Sequence, residues 1–128
     1  MTPTTHTVLL LSDQHSDVRD LLPSFPIAPW RVVVAPLKST TTEDLADMHP
    51  DVLLLDATSD TRVAEDATRS LALAWEIGLP PIIVIVDAEA VASFRFEVGA
   101  DDFLLVGASS GEISARLGLI LRRLGRGE

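Results

Sequence analysis

A single five-stranded parallel sheet with helices on both faces is the fold this sequence predicts, and three observations predict it. Five short aliphatic runs are spread along the 128 residues, and each is followed by an amphipathic stretch. The runs are largely continuous rather than alternating, which suits strands buried on both faces. Parallel neighbours need a crossover, and a helix supplies it. The third observation is composition: 47% hydrophobic and 23% charged residues, without repeats or an internal linker, suffice for one domain with its own core.

Val8–Leu11 is the first strand and ends in Ser12-Asp13. Asp17–Leu22 makes a brief helix, cut short by Pro23, Pro26 and Pro29. Arg31–Ala35, centred on three valines, is the second strand. Thr41-Thr42-Glu43-Asp44 forms a capping box that opens a helix to about Met48, and Pro50 ends it. Val52–Leu55 is the third strand and stops at Asp56.

A longer helix over Arg62–Ile77 carries Val63, Ala67, Leu71, Ala74 and Trp75 at helical spacing, with Gly78 as its C-terminal cap. Ile82–Val86 is the fourth strand, and Glu89–Val98 a fourth helix closed by Gly99. Phe103–Val106 is the fifth strand. Ser109-Ser110-Gly111-Glu112 opens the last helix, whose apolar stripe is Ile113, Leu117, Ile120, Leu121 and Leu124.

Charge and composition exclude several functions. Ten Lys and Arg against 19 Asp and Glu give a net charge of −9. A domain this acidic is not expected to bind DNA or anionic lipid by itself, since both require clustered cations. The absence of cysteine removes disulfides, cysteine zinc sites and thiol catalysis. The longest aliphatic run, Ile82–Val86, falls far short of the ~20 residues of a membrane span. The start MTPTTHT is no signal peptide, and the expected location is cytoplasmic. His6, His15 and His49 lack the spacing of metal ligands.

In sheets of this kind the functional crevice lies beyond the carboxyl ends of the strands. Asp13 and Asp56 follow the first and third strands, which are neighbours in the usual five-stranded order. Two such carboxylates can share a divalent cation, and one can act as a nucleophile toward phosphate. The plainer reading is that they cap the segments that follow.

The segments VLLLSDQ, PDVLLLDAT, PPIIVIVDA and FEVGADDFLLVGAS resemble a bacterial response-regulator receiver domain, a CheY-like (βα)5 fold, from about Val8 to Arg123. The stretch Val98–Leu104 is similar to that before the last helix in OmpR-class receivers. The resemblance implies that Asp56 is the equivalent of the phosphoacceptor and that Ser12 and Asp13 occupy the acidic pocket, with Thr58, Val86 and Val106 as its neighbours. Three departures stand out. Ser12 replaces an acidic residue, Val86 a hydroxyl residue, and Val106 a lysine. Ser12 weakens a magnesium site, Val86 cannot hydrogen-bond a phosphoryl group, and Val106 removes its cation.

This pattern resembles the atypical OmpR-class receivers of the GlnR type, which are phosphorylation-independent homodimers in nitrogen and transcription regulation. An arginine that pairs with the aspartate in some of them falls on Thr58, so Ser12, Thr58 and Arg62 remain as candidate partners for Asp56. Without hydrogen-bond donors, a buried Asp56 would be costly.

The resemblance further implies a homodimer through the fourth helix, fifth strand and last helix. Asp101, Asp102, Glu112, Arg116 and Arg123 fall on its charged positions, and Phe94, Arg95 and Phe103 belong to the same face. On spacing alone Glu112 and Arg116 pair within one helix, and the phenylalanines are core.

The expectation is therefore an atypical receiver spanning residues 1–124, with 125–128 starting a linker. It acts by assembly, is not an enzyme, and needs no metal or other cofactor. DNA is reached through a winged-helix domain that would follow in a regulator of this type. Two alternatives stand beside it. One is a receiver phosphorylated on Asp56, with magnesium held by Asp13 and Asp56. The other is a flavodoxin-like module that binds a small ligand in the crevice.

Overall fold

A computed structural model describes residues 6–26, 30–75 and 78–123, the last of these, Arg123, by its backbone alone. Five strands form one parallel sheet: β1 (His6–Leu11), β2 (Trp30–Ala35), β3 (Val52–Asp56), β4 (Ile82–Val86) and β5 (Asp102–Leu105). Their order is β2-β1-β3-β4-β5, so the chain reverses its direction of travel across the sheet at β1 and β3. The register places Leu11 beside Leu55 and thereby brings the residues that follow, Ser12 and Asp56, to one end of the sheet.

Every residue of β3 and β4 is buried, as continuous aliphatic runs require when both faces are covered. Side chains alternate between two cores. Val8, Leu10, Leu54, Ile83, Ile85 and Leu104 join α1 (Val18–Leu21) and the last helix, α4 (Ser110–Arg123), on one face. Leu9, Leu53, Leu55, Val84 and Val86 pack toward α2 (Thr42–Met48) and α3 (Thr61–Ala74) on the other.

Caps set the helix starts. Asp17 accepts from the Arg19 amide at α1. Thr41 and Asp44 form the expected capping box at α2, whose C-terminal His49 adopts a left-handed backbone with φ of 49°. Asp60 accepts from the Arg62 and Val63 amides at α3, and Ser109 Oγ from the Glu112 amide at α4.

The principal correction concerns Glu89–Val98, which is not a fourth helix. Isolated turns occupy Asp87–Phe94, and only Phe96–Val98 is helical, as a single 3-10 turn. Phe94 and Phe96 are two residues apart and would leave a helix on nearly opposite sides. Breaking the helix at Arg95 lets their rings meet, with centroids 4.8 Å apart. Ser93 Oγ also donates to the Ala90 carbonyl, which competes with helix propagation.

Smaller differences follow the packing. α3 ends at Ala74, capped by Trp75, and Gly78, with φ of 74°, lies beyond it, so Gly78 does not cap the helix. The buried seam of α3 is Ala64, Thr68 and Leu71, whereas Val63, Ala67 and Trp75 are half-buried and Ala74 is exposed. β5 begins and ends one residue earlier than expected, at Asp102 and Leu105. Ile113, Leu117, Ile120 and Leu121 are buried as expected, and Leu124 lies outside the described residues.

Candidate functional site

The carboxyl ends of β1 and β3 form a crevice around Asp56, which is only 5% exposed. Ser12 Oγ donates to Asp56 Oδ2 at 2.7 Å, and the amides of Gln14 and His15 donate in turn to Ser12 Oγ at 3.3 and 3.1 Å. On the other oxygen, Oδ1 accepts from the Thr58 amide at 2.9 Å and from the Thr58 hydroxyl. Both carboxylate oxygens thus accept from hydroxyl or amide groups, which is how a polar group remains buried at low cost.

No cation pairs with Asp56 among the described residues. Arg62, one of the candidate partners, is exposed and does not fold back to it. The two hydroxyl partners expected from sequence are the ones present.

Asp13 has a different role. Its Oδ1 accepts from the Leu37 amide at 2.9 Å and the Lys38 amide at 3.4 Å, so it ties the end of β1 to the segment after β2. A recess of about 60 Å³ over Asp56 is lined by Asp13, Leu37, Lys38, Asp60 and Val63, among others. Val86 is fully buried in one core and Val106 is half-buried against the other, so both are packing residues.

These residues fit a magnesium ion poorly. Ser12 and Thr58 already occupy both oxygens of Asp56, Asp13 is committed to backbone amides, and a neutral hydroxyl stands in the place of a third acid. Among the described residues no group of three or more His, Asp or Glu side chains is placed to hold a metal.

The residues expected on an assembly face are drawn together around β5 and α4, largely by contacts within the chain. Arg116 donates to Asp102 at 3.0 Å and to Glu112 at 3.2 Å, and its guanidinium lies 5.1 Å from the Phe103 ring centroid. Phe103 meets Phe96 at 5.6 Å, which joins it to the buried Phe94. Phe94 and Phe96 were expected to give this face a more apolar contact from a short helix, and they meet instead across a break at Arg95.

Asp101 and Arg95 lie apart from this network. Asp101 Oδ2 accepts from the Ile82 amide at 2.8 Å and secures the start of β4. Arg95 is exposed beside Glu97, and its amide donates to Glu65 of α3. Arg123 is described only by its backbone, so its expected contact lies outside the described side chains.

A parallel five-stranded sheet in this order, with a buried aspartate ending β3, defines a receiver-type domain. The chain belongs to the family of the N-terminal domain of the transcription regulator GlnR, whose profile matches residues 6–121. Among solved structures it is similar to the CheY-like protein TadZ from Pseudomonas aeruginosa PAO1, at 18% identity and a TM-score of 0.70, over 91% of this chain and 99% of that one. It is also similar to the receiver domain of TorR, the response regulator of the TMAO respiratory system, at 20% identity and a TM-score of 0.66, over 92% and 98%. A LuxR family DNA-binding response regulator from Silicibacter pomeroyi matches at 24% identity and a TM-score of 0.60, over 91% and 92%. No curated protein matches the chain. No helix among the described residues is long and apolar enough to cross a membrane.

Proposed function

We propose that the domain is an atypical receiver of the OmpR class that works as a phosphorylation-independent homodimerisation module of a cytoplasmic transcription regulator. The observation that carries this reading is the occupancy of Asp56. Each of its oxygens accepts from Ser12 or Thr58, and no cation stands beside it among the described residues. A nucleophilic carboxylate needs a free oxygen and a cation to neutralise the incoming phosphoryl group. With Val86 and Val106 at the neighbouring strand ends, neither a phosphoryl oxygen nor magnesium gains a polar partner there. The domain therefore catalyses nothing and takes no cofactor.

Assembly would use the surface around β5 and α4. Phe103 and Arg116 are partly exposed there, so a second copy can still reach the ring and the guanidinium. Because Glu89–Val98 is a run of turns, this surface is built from β5, α4 and the phenylalanine cluster rather than from a full helix beside β5. Pairing two domains would set two attached DNA-binding domains on paired half-sites.

The test has two arms. Intact mass is measured after incubation with acetyl phosphate and magnesium, beside an Asp56→Ala control and an ordinary receiver. No mass gain is expected, and a phosphoryl gain absent from the control would overturn phosphorylation independence. Light scattering is expected to show a dimer that Arg116→Glu weakens. A monomer well above micromolar concentration, or a dimer indifferent to that substitution, would overturn assembly through this face.

A further inference from the structure

α2 and α3 cover the same face of the sheet without closing on each other, and between them runs a groove of about 380 Å³. Leu11, Leu45, Val63, Ala67 and Leu71 make it apolar. Its volume falls in the range of about 300–1,000 Å³ typical of small-molecule sites. Along α3 the lining runs from Val63 to Ala74, a helical span of about 16 Å. Leu37, Lys38 and Val63 line both this groove and the recess of about 60 Å³ over Asp56, so the recess is the polar end of the groove.

The charge lies at that end. Asp13, Asp56 and Asp60 line the recess, and among the described residues all three are bonded to neutral groups alone. Asp56 accepts from Ser12 and Thr58, Asp13 from the Leu37 and Lys38 amides, and Asp60 from the Arg62 and Val63 amides. The bonds of Asp13 and Asp60 use Oδ1, and Oδ2 of each accepts from no group among the described residues. The cation that lines recess and groove is the exposed Lys38, which pairs with no carboxylate among the described residues. Asp66, farther along the groove, is already paired with Arg69. Three carboxylates against one ammonium leave the recess anionic, and the net charge of −9 adds to its attraction for a cation. An anionic end on an apolar groove complements a cation that carries a hydrocarbon tail.

We propose that this groove binds a small amphipathic primary amine. Its ammonium sits in the recess, where Oδ2 of Asp13 and of Asp60 are its acceptors, and its hydrocarbon tail lies along α3 on the leucine and valine side chains. Bonds from an ammonium to carboxylates are charge-assisted and stronger than those between neutral groups. An ammonium needs no octahedral shell of oxygens, so the features that fit magnesium poorly do not disfavour it. The site is independent of the dimer reading, since none of its lining residues belongs to β5 or α4.

The probes are octylamine, butylamine, 1-octanol and octanoate, titrated into the protein at neutral pH while the Leu and Val methyl signals are followed by NMR. Octylamine is expected to give saturable shifts at Leu11, Leu45, Val63 and Leu71 in the millimolar range or below. It should bind about tenfold or more tightly than butylamine, because its longer tail buries more methylenes. Octanol should bind more weakly than octylamine, and octanoate should not saturate. Asp13→Asn combined with Asp60→Asn keeps an oxygen for each backbone amide, so the fold should survive by circular dichroism, while octylamine weakens about tenfold. Lys38→Met removes the opposing cation and should tighten octylamine. Ser70→Phe, at an exposed position on the groove, should erase the advantage of octylamine over butylamine. Absence of saturable shifts would overturn the proposal. So would octanol or octanoate matching octylamine, the double asparagine variant keeping the parent affinity, or Lys38→Met weakening the amine.

Discussion

Ser12 and Asp56 lie 44 residues apart in sequence and are joined by a hydrogen bond of 2.7 Å at the end of two adjacent interior strands, β1 and β3. Removing the hydroxyl leaves a buried carboxylate oxygen without its donor. Ser12→Ala is therefore expected to destabilise the domain by about 1–3 kcal/mol, measured by urea unfolding. Ser12→Asp should destabilise it as well, by setting a second carboxylate against Asp56. Added magnesium should recover part of that loss and leave the parent protein unaffected, which differential scanning fluorimetry would read.

Asp101 is exposed, yet it holds the Ile82 amide at 2.8 Å while its own amide donates to the Ile82 carbonyl. Asp101→Ala should cost about 0.5–1.5 kcal/mol in unfolding free energy. Self-association measured by sedimentation should be unaltered. A loss of association without a loss of stability would instead place Asp101 between subunits.

Gly99 has φ of 136°, and a Cβ there would lie 3.1 Å from the Ala72 Cβ on α3. Backbone and packing both oppose a side chain, so Gly99→Ala should cost about 1–3 kcal/mol. Chemical denaturation would check the value, and an NMR spectrum would show disturbance centred on α3 and the 3-10 turn.

Arg116 bridges Asp102 and Glu112 and covers Phe103, yet its side chain is 31% exposed. Solvent screening keeps the stability contributed by these ion pairs at about 1 kcal/mol or less. Arg116→Ala should therefore shift the melting temperature only slightly, and less in high salt. Its effect on self-association should be larger than its effect on stability.

Strand positions were legible because a strand buried on both faces must be aliphatic throughout, as Leu53–Leu55 and Ile82–Val86 are. The α2 boundary was legible because a capping box is a local device, and Thr41 and Asp44 form it as their spacing indicates. Glu89–Val98 was misread because its alanines and glutamates favour a helix locally. The gain from bringing Phe94 and Phe96 together with Phe103 arises only once β5 and α3 are in place. Asp13 shows the same limit. Its placement after β1 suggested capping of the following segment above metal chemistry, whereas it accepts from the Leu37 amide, 24 residues away. The Arg116–Phe103 contact could not be read from spacing, since it depends on how α4 lies against β5.

β1, β3 and β4 are hydrogen-bonded to a strand on either side, whereas β2 and β5 have one partner each. Amide hydrogen exchange should therefore be slowest at the centre of the sheet and fastest at its margins, where opening needs only part of the domain to unfold. Ser12 follows β1 and Asp56 ends β3, both protected strands, while Phe103 belongs to β5 at one margin. Fluctuations that loosen the margin at β5 leave the Asp56 crevice intact. A second copy that pairs with that margin would slow exchange in β5 more than in β3.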